Sequence, residues 1–408
     1  MHHQYILEAI LSGFGFLSIL YCCVRGRIGM LNAQRLADTF RSLAAISSVS
    51  QHEGALASDI KKRLDGLGAE TVFDRSAAST GSDSGNLVAR LRGIRAVPAL
   101  LLSAHMDTVQ PGEGISVVFK DGLFTSDGST ILGADDKSAI AVILEVLSAI
   151  REDQIPHGPI EIVLTTCEET GLAGARNLDF SLVSANYGFA LDGSDTEGVI
   201  VQSPSANRFE IRVFGKDAHA GAHPEKGINA IHLAAKAMAG LTIGRIDRET
   251  TCNIGWIEGG LATNVVPPVV TLRGEVRSHD EDKLERVTAG IIGAFEQVVA
   301  EHGVRQGQDG LPRLEAQVNR SYSRTHIPED HPVVALAHSA AAKLGRPMRA
   351  KKSGGGSDAN IFFERGIALG ILGTGMREIH TVREYVRLDD MVRAAELLLE
   401  IIQLHAGS

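Results

Sequence analysis

The residues of this chain that could do chemistry stand just after apolar runs. His105 and Asp107 close Pro98-Ala-Leu-Leu-Leu-Ser-Ala-His-Met-Asp, and Glu168 and Glu169 follow Ile160-Glu-Ile-Val-Leu-Thr-Thr-Cys. Asp192 ends Tyr187-Gly-Phe-Ala-Leu-Asp, Asp135 opens the apolar stretch 139–150, and His380 comes after the run 368–372. Side chains on a strand repeat every two residues, so His105 and Asp107 share one face. An imidazole and a carboxylate so placed can hold a metal ion or share a proton. Two adjacent carboxylates at the end of a buried strand are costly unless a positive group lies between them. Each place alone has a structural explanation: Asp135, for example, would serve as an N-cap. The five places together share no such explanation. They fall at the carboxyl ends of strands, where ligand sites form in open α/β sheets.

The elements that must position these residues read as alternating α/β. Leu36, Phe40, Leu43 and Ile46 lie at helical spacing within 32–46, and a second helix covers 52–67 and stops at Gly68. Strands are expected at 70–73, 86–91 and 99–103, a turn-rich functional loop at 108–134, a helix at 139–150, and strands at 160–166 and 187–191. The pattern then changes to strand 208–214, helix 227–241, strands 252–257 and 267–276, helix 281–302 and strand 313–318. That βαββαβ order is the ferredoxin-like split unit. After it come helix 332–344, strand 348–351, helix 358–364, strands 368–372 and 384–386, and helix 389–404. The expected organisation is an apolar N-terminal extension over 1–29, a first catalytic segment over 30–205, an insert over 206–320 and a second catalytic segment over 321–408.

A chain of 408 residues is too long for one ordinary core, so two domains are expected. A net charge of −9 without a basic cluster excludes nucleic acid as a partner. Cys22, Cys23, Cys167 and Cys252 form no CxxC pair, which fits a reducing, cytoplasmic setting. Residues 5–24 are apolar enough to span a bilayer, and Arg25 and Arg27 would then keep the rest of the chain cytoplasmic. The alternative is that Met30 is the start and 1–29 is an upstream extension of the reading frame. The amphipathic pattern beginning just after Met30 favours the extension.

Over residues 31–405 the chain resembles the M20 (aminoacylase/carboxypeptidase-like) metallopeptidases. The resemblance rests on Ser103-Ala-His-Met-Asp107-Thr, Gly133-Ala-Asp-Asp-Lys137, Cys167-Glu-Glu-Thr-Gly171 and Leu191-Asp-Gly193, with Gly215-Lys-Asp-Ala-His219-Ala-Gly221 and Gly354-Gly-Gly-Ser-Asp358. Glu275-Val-Arg277-Ser-His279-Asp280 and the spacing to His380 are similar to the peptidase T-like members.

The resemblance implies a dimetal exopeptidase-type catalytic domain, a mixed sheet flanked by helices, with an inserted ferredoxin-like α+β lid that also forms a homodimer. It implies that His105 and Asp192 bind one ion, Glu169 and His380 the other, and that Asp135 bridges them, followed by a peptide bond that is often cis in the family. Two divalent ions are expected, zinc first, with cobalt or manganese also suited to nitrogen and oxygen ligands. Glu168 would be the general base, Asp107 the partner that orients His105, and His219 a lid residue reaching the neighbouring subunit's site. Asn264, Arg277 and Gly354, Gly355 and Gly356 would hold the substrate, for which a free C-terminal carboxylate fits an arginine fork and a glycine loop. Cys167 is expected to be a small buried thiol. The function implied is hydrolysis of an amide bond in short peptides, as in tripeptide aminopeptidases. A carboxypeptidase or an N-acyl-amino-acid amidohydrolase is the alternative, and a non-catalytic binding homologue a further one.

Overall fold

The computed structural model describes residues 31–303 and 310–407. The apolar stretch 5–24, with Cys22 and Cys23, lies outside them. Among the described residues no helix is long and apolar enough to cross a membrane.

The chain opens with α1 (Ala33–Ala44), α2 (Gly54–Gly66), β1 (Glu70–Phe73), β2 (Leu87–Leu91), β3 (Leu100–His105), β4 (Val117–Lys120) and β5 (Leu123–Ser126). Next come α3 (Ala134–Glu152), β6 (Ile160–Thr165), β7 (Tyr187–Gly193), β8 (Gly198–Ser203), β9 (Ser205–Phe214), α4 (Ala230–Ala239) and β10 (Gly244–Arg245). Then follow β11 (Thr250–Gly259), β12 (Val269–Ser278), α5 (Glu281–Gly303), β13 (Arg313–Tyr322), β14 (Thr325–His326) and α6 (Pro332–Lys343). The last elements are β15 (Arg349–Lys352), α7 (Asp358–Glu364), β16 (Ala368–Gly373), β17 (Tyr385–Arg387) and α8 (Leu388–Ala406). Two compact units result. Among the described residues, the first holds 31–199, Pro332–Arg349 and 369–407; the second holds those of Ile200–His331 and Ala350–Ala368.

The first unit is built on strands in the order β1-β2-β6-β3-β7-β16. β3 runs parallel to β6 and β7, while β2 is antiparallel to β6. Every residue of β3, β6 and β16 is buried, as expected of strands covered on both faces. The helices supply that cover. α8 buries Met391, Ala394, Ala395, Leu398, Ile401 and Ile402 at helical spacing, and Asp389 and Asp390 in its first turn suit the helix dipole. α1 is capped by the Asn32 side chain on the Arg35 N–H, and the Arg35 guanidinium meets Glu145 of α3 at 2.6 Å. The stretch 108–134, expected to be a loop, contains the β4–β5 hairpin, which joins β17 in a three-stranded sheet.

The second unit has the sheet order β10-β11-β12-β9-β13, all antiparallel. Apart from the two-residue edge strand β10, this is the ferredoxin-like arrangement that the βαββαβ order implies. Its core packs Phe209, Ile211 and Val213 of β9 with Leu233 of α4, Leu272 of β12 and Phe295 of α5.

Candidate metal centre

The carboxyl ends of β3, β6 and β7 and the amino end of α3 deliver the first unit's polar residues to one place. His105 is the last residue of β3, Asp192 lies at the end of β7, and Glu168 and Glu169 follow β6. Asp135 does not cap α3. Gly133 does so in the left-handed region at φ 72°, while Asp135 and Asp136 have non-helical backbone before the helix proper begins. The Asp135–Asp136 peptide bond is cis.

The Asp135 carboxylate divides its two oxygens. Oδ1 lies 3.0 Å from His105 Nε2 and Oδ2 lies 3.2 Å from His380 Nε2. His380 Nε2 is also 2.8 Å from Glu169 Oε1. Among the described residues, three groups bring ligand-type atoms within 4.8 Å of one another: His105–Asp135–Asp192, Asp135–Glu169–His380 and His105–Glu168–Glu169. The first two share Asp135 and together contain the five residues expected as metal ligands. The donors are nitrogen and oxygen, with no thiolate. Buried carboxylates without a counter-charge are expensive, and the charges here respond to that. Hydrogen bonds donated to the carboxylates of Asp135 and Glu169 lift His380 to a pKa of about 10. Burial opposes charge on His105, yet the carboxylates of Asp107 and Asp135 raise it well above its ordinary value. Burial likewise opposes charge on Asp135, but the two imidazoles hold it below the usual carboxylate range. Burial, with Asp192 and Asp135 nearby, pushes Asp136 up. The cluster calls for positive charge between its carboxylates, which is the condition a pair of divalent cations meets.

Asp107 is fully buried and holds more than His105. Its backbone carbonyl lies 3.0 Å from His105 Nδ1 and its Oδ1 3.4 Å from the same nitrogen. Its carboxylate also accepts the N–H groups of Glu168 (2.9 Å) and Glu169 (3.2 Å) and the Ser50 hydroxyl (2.6 Å). It therefore fixes the acidic pair as well as the imidazole. Cys167 before that pair sits at φ 53°, and His380 at φ 62°. Non-glycine residues in the left-handed region cost energy and concentrate at functional sites. The Cys167 thiol is buried, and that burial pushes its pKa up to about 12, so it is no thiolate.

Sequence reasoning missed two buried carboxylates. Glu384 accepts the N–H groups of Leu132 (2.8 Å), Gly133 (2.7 Å) and Asp135 (2.9 Å). Glu53 accepts those of Gln51 (3.0 Å) and Cys167 (2.9 Å) and the Ser82 hydroxyl. Glu384 stands just before β17 and Glu53 just before α2, and neither lies in a motif. Lys137 was legible only as a motif residue: it is fully buried, donates to the Ile46 carbonyl at 2.6 Å, and burial lowers it to about 7.

The other expected site residues belong to the second unit. His219 and Asn264 come together there: the His219 backbone bridges Val265, and the Ala220 N–H meets the Asn264 carbonyl at 2.9 Å. Both side chains are exposed. His219 Nδ1 accepts the N–H groups of Gly221 (3.2 Å) and Ala222 (3.1 Å), so its proton is on Nε2. Arg277 forks onto Glu275, Nε at 2.8 Å and Nη2 at 3.2 Å. A Cβ on Gly356 would stand 2.4 Å from the Tyr322 ring, and one on Gly355 would stand 3.4 Å from Arg277 Nη1.

Comparison with known proteins identifies the family. The model of peptidase family M20/M25/M40 matches residues 101–404. The chain belongs to that family. Within it, the chain is a peptidase T-like metallopeptidase. It is 39% identical over 92% of its length to the protein YqjE of Bacillus subtilis, of which it covers 99%. It is 28% identical to peptidase T of Geobacillus thermodenitrificans, covering 69% of this chain and 67% of that one. The solved aminopeptidase PepT of Bacillus cereus superposes with a TM-score of 0.84 at 39% identity, covering 93% of this chain and all of that one. A tripeptidase from Staphylococcus aureus superposes at 0.87 and 38% identity with the same coverage.

Proposed function

We propose that this M20 chain is a two-metal exopeptidase that removes the N-terminal residue of short peptides, tripeptides foremost. The observation that carries this reading is the divided Asp135 carboxylate, one oxygen toward His105 and the other toward His380. The likeness over 93% of the chain to an aminopeptidase and a tripeptidase supports the substrate class. His105, Asp192 and one Asp135 oxygen would hold one ion; Glu169, His380 and the other oxygen would hold the second. Zinc fits this donor set best, and cobalt or manganese also suit it. Ions held there supply Lewis acidity toward the scissile carbonyl and acidify water near neutral pH. Glu168 takes the proton of the attacking water and returns it to the leaving amine. Asp107 keeps Glu168 and His105 aimed by fixing the backbone of the first and the ring of the second.

His219 presents Nε2–H outward as a donor to the developing oxyanion, acting on a neighbouring subunit in a homodimer. Among the described residues the edge of β11 is free beyond β10, which supports that assembly. β10 pairs only with Thr251 and Cys252, and beyond them Trp256 and Ile257 are 38% and 52% exposed. An uncovered edge with apolar side chains is a template for a second strand. Asn264, Arg277 and Gly354–Gly356 take the peptide's C-terminal carboxylate. That clamp would equally serve a carboxypeptidase or an N-acyl-amino-acid amidase. The buried, unpaired thiols of Cys167 and Cys252 fit a reducing, cytoplasmic setting.

The test is metal analysis of the purified protein followed by digestion of a tripeptide library, with N-acyl amino acids alongside, read by mass spectrometry. Two divalent ions per chain and loss of the first residue are expected. A metal-free active protein, or release from the C-terminus or of the acyl group alone, would overturn the reading.

A further inference from the structure

The second unit contains a cleft of about 480 Å³ whose lining includes Arg245, Arg248, Glu249, Arg277, His279 and Lys352. Arg245 ends β10, Arg248 lies in the turn before β11, Arg277 stands near the end of β12 and Lys352 closes β15. Four permanent cations thus converge from four places in the sequence, against one acid. That acid is already engaged: Lys283 Nζ binds Glu249 at 2.5 Å and Asp247, the other acid of the same turn, at 3.0 Å. Arg277 uses Nε and Nη2 on Glu275, and Nη1 is not part of that pair. Among the described residues, Arg245, Arg248 and Lys352 form no ion pair. The wall is held in place independently of any ligand, because His279 Nε2 meets the Ser353 carbonyl at 2.8 Å and Ser353 Oγ accepts the Gly355 N–H at 3.0 Å. Like charges gathered in a concave site repel one another and raise the local concentration of anions.

We propose that this cleft binds an acidic C-terminal residue of the peptide substrate. The main-chain carboxylate would meet Arg277, and the aspartate or glutamate side chain would meet Arg245 and Arg248, with Lys352 adding charge. The proposal rests on the carboxylate recognition assigned to Arg277 above and extends it to the side chain. Two features favour an acidic peptide over a nucleotide or nucleic acid. No phenylalanine, tyrosine or tryptophan ring lines the cleft to stack a base, and the chain's net charge of −9 opposes a long polyanion. An arginine pair on a carboxylate forms charge-assisted, forked hydrogen bonds, which discriminate strongly against a neutral side chain.

The test compares Ala-Ala-Ala, Ala-Ala-Glu and Ala-Ala-Lys by kcat/KM in the wild type and in the Arg245→Gln/Arg248→Gln double variant, at low and high salt. In the wild type the Glu peptide should exceed the Ala peptide by about tenfold or more, through KM. The Lys peptide should fall below both. The ratio of Glu to Ala should shrink with salt and approach one in the double variant. The ratio is the readout, so a variant with altered overall activity still reports. A wild-type ratio of one, or a ratio that survives the double substitution, overturns the proposal. Titration calorimetry with Ala-Ala-Glu separates this result from the peptidase reading. Binding without cleavage keeps the cleft and rejects that reading, whereas cleavage of Ala-Ala-Ala with no advantage for Glu in binding or rate rejects the cleft alone.

Discussion

Replacing Glu384 by glutamine tests how the metal centre is held. Glu384 is 1% exposed, and its two oxygens receive three backbone N–H groups from the segment that carries Asp135. It also stands four residues after His380, so one side chain ties together the two loops that deliver ligands to the same half of the centre. In Glu384→Gln the remaining oxygen can keep Leu132 and Gly133, but the new NH2 group faces the Asp135 N–H. One buried donor is then unsatisfied, which costs about 1–3 kcal/mol, and the surviving bonds lose their charged acceptor, for a total of about 2–4 kcal/mol. Groups that hold metal ligands in this way typically change affinity by about 10–100-fold when replaced. The assay is zinc binding against a competing chelator, alongside thermal melting of the metal-free protein. A lower melting temperature and a weakened zinc affinity are expected together. If zinc affinity is unchanged, the link from Glu384 to the ligands is wrong, even if the protein melts earlier.

Four further outcomes are expected. Glu168→Ala should keep its metal and lose about two to four orders of magnitude in kcat, whereas Glu169→Ala should lose metal; the reverse pattern in metal analysis would exchange their roles. Mixed His219→Ala and Glu168→Ala subunits should regain activity through hybrid dimers, and failure despite proven subunit exchange would count against a shared site. Amidating the C-terminus of a tripeptide should cost the wild type heavily and Arg277→Ala little; equal wild-type rates on acid and amide would end the carboxylate clamp. In metal-free protein, the raised pKa of His380, from 6.5 to about 10, means its charge stabilises fully below its unfolded value and the contribution fades as pH rises through 10. Asp135, lowered from 3.8, has the opposite sign: its contribution is present above that value and is lost on acidification. Melting temperatures of chelator-treated protein should therefore fall toward both pH 3 and pH 10, and a profile flat across the alkaline arm would refute the His380 assignment.

What the sequence discloses here follows from where polarity must begin. A strand buried on both faces can only be apolar, so β3 and β6 announce themselves, and the first polar residues beyond them, His105 and Glu168–Glu169, stand out by contrast. The same logic explains what is hidden. β4 and β5 alternate in burial over four residues each, between glycine turns, and resemble loop because a short half-exposed strand needs no apolar run. Asp135 looks like an N-cap because a carboxylate before a helix normally is one; that Gly133 takes the cap and releases Asp135 toward two imidazoles depends on backbone angles no residue type announces. Glu384 and Glu53 act on peptide N–H groups, which every residue but proline carries, so their partners leave no mark in the sequence. The cationic cleft is hidden for a third reason. Arg245, Arg248, Arg277 and Lys352 are scattered over more than a hundred residues, so no single window of the chain holds the cluster; it exists only once β10, β12 and β15 have been folded to the same place. The apolar pattern therefore locates the reacting centre, whereas the groups that set its rigidity and its choice of substrate depend on backbone donors and long-range convergence, and these emerge only with the fold.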